Sequence, residues 1–413
     1  MNILIVTQYF WPEEFRINDL SLGLLEKGHR VTVYTGIPNY PTGRFFRGYS
    51  FFKNLTQNFH GVKILRVPLV PRGNGRGLRL AINYFSFALF GSIMGAVRCR
   101  EEYDLIFVYE PSPITVGLPA IVMKKIKKAP IMFWVQDLWP ESVAAAGAVR
   151  SQRVLKLIER LVSFIYNKCD RILVTSLAYF PPIKCVVKKP ERILYFPQTS
   201  EELYRPVRLN PEAPELGRMP AGFTVMFAGN IGAAQDFETI LSAAENLTVH
   251  QDIKWIILGD GRMRPWVEDQ IRQRALGKTI YLLGRYPVEA MPRFFSLADI
   301  LLVTLKREPI FALTIPAKVQ SYLACGKPIV AALDGEGARI IAEAGAGLAC
   351  PAENPAALAE AILTIYRMSA AERQEMGMRG RAYYEKHFDR SMLLDRLNNW
   401  MRELYREAKS SVA

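Results

Sequence analysis

The sequence has few of the residues that build metal centres and disulfide frameworks. Its 413 residues include five cysteines and four histidines, and no two cysteines stand in a C-x-x-C spacing. Scattered ligands of this kind argue against a structural zinc site and against a disulfide scaffold. We therefore expect no metal centre and no cofactor that depends on one. Free thiols favour a reducing, cytoplasmic compartment.

Leader and nucleotide-binding motifs are also missing. The first residues, MNILIVTQYF, lack the basic start and the small-residue cleavage site of a signal peptide, and we interpret them as a first strand. A Walker lysine motif is absent, and no G-x-G-x-x-G follows that strand. These absences disfavour a P-loop hydrolase and a dinucleotide-dependent dehydrogenase.

Acidic residues are missing from one long stretch of the first half. Residues 51–100 hold eight basic side chains and no acidic one. Residues 1–200 hold 27 basic and 13 acidic side chains and residues 201–413 hold 26 of each, so the whole excess of +14 lies in the first half. Such a surplus indicates an anionic partner: nucleic acid, a membrane surface or a phosphorylated substrate. No zinc-finger spacing, RNP-like segment or arginine-rich tail accompanies it, so we expect no nucleic acid.

An uncharged run of 18 residues, 80–97, lies inside this basic stretch. A helix that spans a bilayer needs about 20 apolar residues, so the run favours either a buried core helix or a helix that lies in the membrane interface. Arginines flank it on both sides and favour the interfacial alternative; they are Arg72, Arg76, Arg79, Arg98 and Arg100.

Short apolar runs alternate with longer amphipathic stretches along the whole chain. Runs such as RVTVYT and DLIFVY in the first half and FTVMFA and ILLVT in the second are typical of parallel strands buried on both faces. Residues 205–222 hold four prolines and two glycines, which predicts a linker. We predict an α/β protein with two Rossmann-like, doubly wound parallel-sheet domains, 1–198 and 199–390. A C-terminal amphipathic helix, 391–413, would pack across their junction.

Glycine-rich turns follow two successive strands of the second half. Gly229, Asn230 and Gly232 come directly after FTVMFA, and Gly259 and Gly261 come after KWIIL. At the carboxyl end of a parallel strand, glycine lets the backbone approach a ligand, and the next helix N-terminus favours an anion such as diphosphate.

A lysine occupies an unusual place in the segment REPIFALTIPAKVQSYLACGKP. We predict a helix from about Ala317 that ends at Gly326, which puts Lys318 in its first turn. A cation is unfavourable at that end of the helix dipole, so a bound phosphate would explain the lysine; the alternative is an ordinary solvent-exposed lysine.

Together these motifs resemble the family 4 retaining glycosyltransferases, which have the two-lobed GT-B fold. The similarity runs over nearly the whole chain, through Pro12-Glu13, Gly28–Val31, Asp137–Ser142, both glycine turns and the segment Lys318–Pro328. With Pro38-Asn39-Tyr40-Pro41-Thr42-Gly43, the chain is most similar to the branch that includes N-acetyl-fucosamine transferases of bacterial surface-polysaccharide synthesis.

The resemblance implies a nucleotide-sugar site on the C-terminal domain and an acceptor site on the N-terminal domain. Ser321 and Leu313 stand where a Glu-x7-Glu pair is usual in the family, with Glu308 out of register. Gln136-Asp137 stands where many relatives have His-Asp. The expected donor-binding residues are Gly229, Asn230, Gly232, Gly259, Gly261, Arg285, Lys318 and Ser321. The expected acceptor-binding residues are Arg16, Asn39, Tyr40, Gln136 and Glu141, with Asp137 and Glu13 as catalytic candidates.

The resemblance further implies a reaction. A sugar, an N-acetylated hexosamine or deoxyhexosamine, would pass with retention from a UDP-sugar to a polyprenyl-diphosphate-linked glycan. The enzyme would need no metal and would work on the cytoplasmic face of the plasma membrane, bound peripherally to its anionic surface, in lipopolysaccharide O-antigen, capsule or exopolysaccharide synthesis. Two alternatives are a UDP-sugar epimerase of the same fold and a non-catalytic membrane scaffold.

Overall fold

The chain forms two compact units. A computed structural model describes residues 1–75, 77–145, 147, 149, 151–208, 210 and 212–410, so that Arg76 of the flanking arginines lies outside the described residues. One unit comprises Met1–Pro197 together with Ser391–Ala413, and the other comprises Gln198–Arg390.

The first unit is built on a sheet of eight strands: β1 Asn2–Val6, β2 Arg30–Gly36, β3 Thr56–Phe59, β4 Val62–Val67, β5 Leu105–Glu110, β6 Ile131–Val135, β7 Arg171–Val174 and β8 Ile193–Tyr195. Their order is β3-β4-β2-β1-β5-β6-β7-β8. All neighbours are parallel except β3, which forms an antiparallel edge with β4. Six helices connect these strands: α1 Arg16–Glu26, α2 Gly77–Arg98, α3 Gly117–Lys127, α4 Glu141–Ala145, α5 Gln152–Lys168 and α6 Phe180–Val186.

The second unit has a six-stranded parallel sheet: β9 Phe223–Ala228, β10 Ile253–Leu258, β11 Ile280–Gly284, β12 Ile300–Thr304, β13 Ile329–Ala332 and β14 Gly347–Cys350. Their order is β11-β10-β9-β12-β13-β14. Its helices are α7 Phe237–Asn246, α8 Arg264–Gln273, α9 Met291–Leu297, α10 Pro309–Leu313, α11 Ala317–Cys325, α12 Glu336–Glu343, α13 Pro355–Tyr366 and α14 Ala370–His387.

The last helix, α15 Arg390–Ser410, packs into the core of the first unit. Its apolar face is buried against β1, β2 and β5 residues of that core through Leu393, Leu394, Leu397, Met401 and Leu404. His29, at the entry to β2, shares a hydrogen bond of 2.8 Å with Asn398 on this helix. Packing across the junction stays a prediction, and the last three residues of 391–413 lie outside the described residues.

The predicted fold class is confirmed: each unit is a doubly wound α/β layer structure with a largely parallel sheet. The helix predicted from about Ala317 begins at that residue and ends at Gly326, whose φ of 66° is the left-handed conformation that glycine adopts without strain. The uncharged run 80–97 lies within the single helix α2.

Candidate functional site

The second-unit sheet reverses its strand order between β9 and β12. Connections from β9 lead toward β10 and β11, whereas those from β12 lead toward β13 and β14. In open α/β sheets, ligands bind outside the carboxyl ends of the strands at such a point. Both glycine turns and the start of α11 lie at this edge, so the expected donor-binding residues come to one place.

The two glycine turns touch each other so closely that Gly259 has no room for a side chain. Gly229 and Gly259 have φ of 142° and 137°. A Cβ on Gly259 would lie 1.8 Å from the carbonyl oxygen of Gly229. The Gly229 N–H donates to Leu258 O and the Ile231 N–H to Asp260 O, each within 2.9 Å. Within the described residues no protein acceptor receives the N–H of Asn230 or Gly232, which leaves these two amides for a ligand.

Lys318 reaches back over the first glycine turn. Its ammonium lies 3.6 Å from the ring centroid of Phe227 and 3.0 Å from where a Cβ on Gly229 would stand. Burial lowers the pKa of Lys318 to about 7. No carboxylate among the described residues comes within ion-pairing distance of it. Lys318 is half-buried. A desolvated cation that no anion of the protein neutralises is costly, and an anionic ligand at the glycine turns would offset that cost.

A cavity of about 270 Å³ opens beside the same turns. Leu258, Tyr286 and Met291 give it apolar walls, while Asp260 and Arg285 lie at its polar side. The Arg285 guanidinium is mostly exposed and 3.8 Å from the Asp260 carboxylate. Apolar walls with a few polar groups suit a nucleobase beside a diphosphate.

Ser321 is less accessible than its expected role requires. It is 7% exposed, and its hydroxyl donates to Ala317 O, one turn earlier in α11, at 3.2 Å. Glu308, the nearby carboxylate, is exposed and precedes α10. The expectation that Ser321 binds the donor stays a prediction.

The first-unit sheet reverses its order between β1 and β5, and several expected acceptor residues follow β1 and β2 there. Glu13 lies at this edge and is 2% exposed. Its carboxylate accepts the N–H groups of Asn39 at 2.8 Å, Tyr40 at 2.7 Å and Phe10 at 3.2 Å. Burial raises the pKa of Glu13 to about 7 against these hydrogen bonds. The geometry gives Glu13 the role of holding the 37–43 loop.

Asn39 also forms hydrogen bonds inside the loop, whereas Tyr40 is partly exposed to solvent. Asn39 is fully buried, donates its amide to Ile37 O and accepts from the Arg72 N–H at 3.1 Å. Tyr40 is 37% exposed. Arg16 is the half-buried first residue of α1 at the same edge.

A cluster of carboxyl groups lies at the ends of β5 and β6. Asp137 accepts the Trp139 indole N–H at 3.3 Å, and burial raises the pKa of Asp137 against such hydrogen bonds. Gln136 precedes it, and its N–H donates to Glu110 O. Glu141 begins α4, and burial raises the pKa of this carboxyl too.

Glu110 belongs to this cluster and is not among the residues predicted from the sequence. It ends β5, is fully buried, and has a pKa that burial and then the nearby Asp137 raise well above its ordinary value. A carboxyl that closes an apolar run, LIFVYE, was the available signal.

Glu13→Gln should lower stability, because the amide would present N–H groups to backbone N–H groups. We expect a loss of about 1–3 kcal/mol in the free energy of unfolding, measured by denaturant titration. Glu14→Gln, at an exposed neighbour, is the matched control. Equal stability of the two variants would contradict the bracing role.

Among the described residues, no group of three or more histidine, cysteine, aspartate or glutamate side chains could hold a metal ion. Lys318 and Arg285 place side-chain cations at the second-unit site.

Comparisons with known proteins agree with this geometry. The model of the family described as Glycosyl transferases group 1 matches residues 222–368, which lie within the second unit. A relative named "Probable glycosyltransferase WbjE" of Pseudomonas aeruginosa is 28% identical over 280 residues, covering 67% of this chain and 68% of its own. "Putative colanic acid biosynthesis glycosyl transferase WcaI" of Escherichia coli is 22% identical, covering 79% and 82%.

A solved structure of Anabaena Alr3699/HepE in complex with UDP and glucose superimposes with a TM-score of 0.70 at 16% identity, over 98% of this chain and 100% of that one. The chain therefore shares the GT-B fold of that structure, and its second unit matches the model of the group 1 glycosyltransferases.

Proposed function

We propose that the protein is a retaining, family 4 glycosyltransferase that moves a sugar from a UDP-sugar to a polyprenyl-diphosphate-linked glycan in bacterial surface-polysaccharide synthesis. The relative named for colanic acid biosynthesis and the UDP-bound Anabaena structure support the pathway class and the donor. The expected sugar, an N-acetylated hexosamine or deoxyhexosamine, follows from the resemblance to the N-acetyl-fucosamine transferase branch.

The observation that carries the proposal is the Lys318 ammonium over the Gly229 turn. In sugar transfer, negative charge develops on the leaving diphosphate, and a cation preorganised there stabilises the transition state more than the ground state. The Asn230 and Gly232 N–H groups would contact the same diphosphate. The cavity walled by Leu258, Tyr286 and Met291 would hold the uracil.

Retention follows if the acceptor hydroxyl attacks from the face that the diphosphate leaves. The diphosphate itself would then take the hydroxyl proton, so that the enzyme's part is to hold both groups close together. Asp137 would orient the acceptor hydroxyl, and the fully buried Glu110 lies beside it. We propose that lysine and arginine, and no metal, neutralise the diphosphate.

The test is UDP release from a panel of UDP-sugars, with and without polyprenyl-diphosphate-linked saccharide acceptors. Acceptor-dependent UDP release with one donor, and an unchanged anomeric configuration in the product by NMR, is the expected result. Turnover with no donor, or epimerised UDP-sugar in the absence of an acceptor, would overturn the proposal.

We also propose that the enzyme binds peripherally to the inner face of the plasma membrane. By length and composition, α2 is apolar enough to cross a bilayer, yet one of its faces is buried in the first unit through Asn83, Phe87 and Gly91. The opposite face is an exposed apolar stripe: Leu78, Ile82, Phe85, Leu89, Ile93 and Val97. A helix with one packed and one exposed apolar face suits the membrane interface.

Paired substitution Phe85→Gln with Ile93→Gln should weaken binding to phosphatidylglycerol vesicles by about tenfold or more, because each side chain contributes about 1.5–3 kcal/mol when fully buried. Vesicle flotation measures this, and added salt should weaken wild-type binding as well. The control is Val249→Gln with Met378→Gln, an exposed apolar pair of the second unit. Equal loss in both pairs would contradict a specific role for α2.

A further inference from the structure

An aromatic cluster stands at the edge of the first unit where β1 and β2 end. Tyr9 stacks on Phe15 with ring centroids 5.2 Å apart and planes 10° apart. Tyr40 lies 5.7 Å from Tyr9 and 5.2 Å from Phe15. The three rings form a platform in which Tyr9, 3% exposed, supports the half-buried Phe15 and the 37% exposed Tyr40. The accessible parts of Phe15 and Tyr40 are an apolar surface against which the apolar face of a sugar ring can pack. The Glu13 carboxylate holds the platform in place by accepting the Tyr40 N–H.

Arg72 lies on this platform. Its guanidinium carbon is 4.7 Å from the Tyr40 ring centroid and 5.9 Å from that of Tyr9. The loop that carries it is pinned to the platform, because the Arg72 N–H donates to Asn39 Oδ1. Gly73 and Gly75 follow Arg72 in the left-handed conformation, with φ of 61° and 71°. Helix α2 begins two residues after Gly75, at Gly77.

The Arg72 guanidinium has no anionic partner in the described part of the chain, where no carboxylate comes within 4.0 Å of it. The Glu13 carboxylate, which holds the same edge, accepts backbone N–H groups instead. Arg66 shows what a structural arginine looks like here: it is fully buried and donates to Gly36 O, Trp11 O and Gln57. Within the described residues, the Arg72 guanidinium donates no such hydrogen bond to a protein oxygen.

We propose that Arg72 and the Tyr9–Phe15–Tyr40 platform bind the diphosphate and the first sugar of a prenyl-diphosphate acceptor. A planar guanidinium matches a phosphate with two parallel hydrogen bonds. The exposed apolar stripe of α2 begins at Leu78, six positions after Arg72, so one ligand with a charged head and an apolar chain fits both features. This inference rests on the proposed function and names the acceptor's subsite.

Binding of farnesyl diphosphate tests the site, measured by calorimetry with saturating UDP so that the second-unit diphosphate site is filled. Arg72→Gln should weaken the affinity about 10- to 100-fold, the effect of losing a charge-assisted bidentate pair. Arg72→Lys should retain part of it. Arg30→Gln, an exposed arginine at the opposite edge of the same sheet, is the charge-matched control and should bind as wild type does.

Other outcomes separate this inference from the proposed function. Lys318→Met should weaken the binding of UDP and leave the binding of farnesyl diphosphate unchanged. Weakened binding of both would place the prenyl diphosphate at the glycine turns and overturn the inference. Inorganic pyrophosphate bound as tightly as farnesyl diphosphate would make this a free-phosphate site and overturn the acceptor assignment. Unchanged affinity in both Arg72 variants would overturn it as well. Failure of the proposed function would instead appear as absent UDP binding with Arg72-dependent farnesyl diphosphate binding intact.

Discussion

Lys318→Met is expected to weaken UDP-sugar binding about 10- to 100-fold, the contribution of one charged hydrogen bond in a partly buried site. The same change should raise the melting temperature of the ligand-free protein, because Lys318 packs its ammonium against Phe227 and Gly229 without a carboxylate partner in the described residues. Methionine keeps the length of the side chain and removes the buried charge. Opposite effects on binding and stability are typical of a residue retained for a ligand.

Calorimetry with a UDP-sugar and thermal unfolding without it measure the two effects. Lys278→Met is the control: this lysine is an exposed residue of the same unit, at the turn that leads into β11. Unchanged UDP-sugar affinity in Lys318→Met would place the diphosphate elsewhere and favour the scaffold alternative.

The same lysine should make donor affinity depend on pH. Its pKa of about 7 in the free protein must rise when a diphosphate binds, because the anion favours the charged form. Between the pKa of Lys318 in the free protein and its higher pKa in the complex, Lys318 takes up a proton when the donor binds. Donor affinity should therefore fall as pH rises above about 7. The diphosphate of a UDP-sugar does not titrate in this range. A dependence that persists unchanged in Lys318→Met would assign it to another group.

Gly259→Ala should abolish measurable donor binding and destabilise the second unit. The new Cβ would lie 1.8 Å from Gly229 O, at a φ of 137° that alanine rarely adopts. Backbone strain of about 1–3 kcal/mol adds to an overpacking cost of about 1–3 kcal/mol, and the two turns must separate to accept the methyl group.

Gly277→Ala is the matched control, because a Cβ there meets no atom within 4 Å. Thermal unfolding and UDP calorimetry on both variants measure the difference. A Gly259→Ala protein as stable and as tightly bound to UDP as Gly277→Ala would contradict the close contact of the turns.

Strands could be predicted from the sequence where apolar residues run without interruption. FTVMFA and ILLVT are strands at the predicted residues. The strands that escaped prediction are short or polar: TQNF at the antiparallel edge, the three residues ILY, and GLAC. Their sequences carry no periodicity, and only tertiary pairing with a neighbouring strand defines them.

The second-unit site followed more readily from the sequence than the first-unit site did. Glycines after strands and a lysine in a first helical turn are local signals, and the fold brings them together because parallel strands end at one edge. The roles of Glu13, Asn39 and Arg72 depend on contacts between segments distant in sequence. Whether a carboxylate is free or occupied by backbone N–H groups, as in Glu13, is a property of the folded loop.

The central claim is that Lys318 and the glycine turns hold the diphosphate of the sugar donor. A crystal structure of the protein with bound UDP tests it most directly. We predict Lys318 Nζ within about 3 Å of a diphosphate oxygen, with the Asn230 and Gly232 N–H groups directed at the same diphosphate and the uracil beside Tyr286. UDP bound away from β9 and β10, with the Lys318 ammonium still over Phe227, would contradict it.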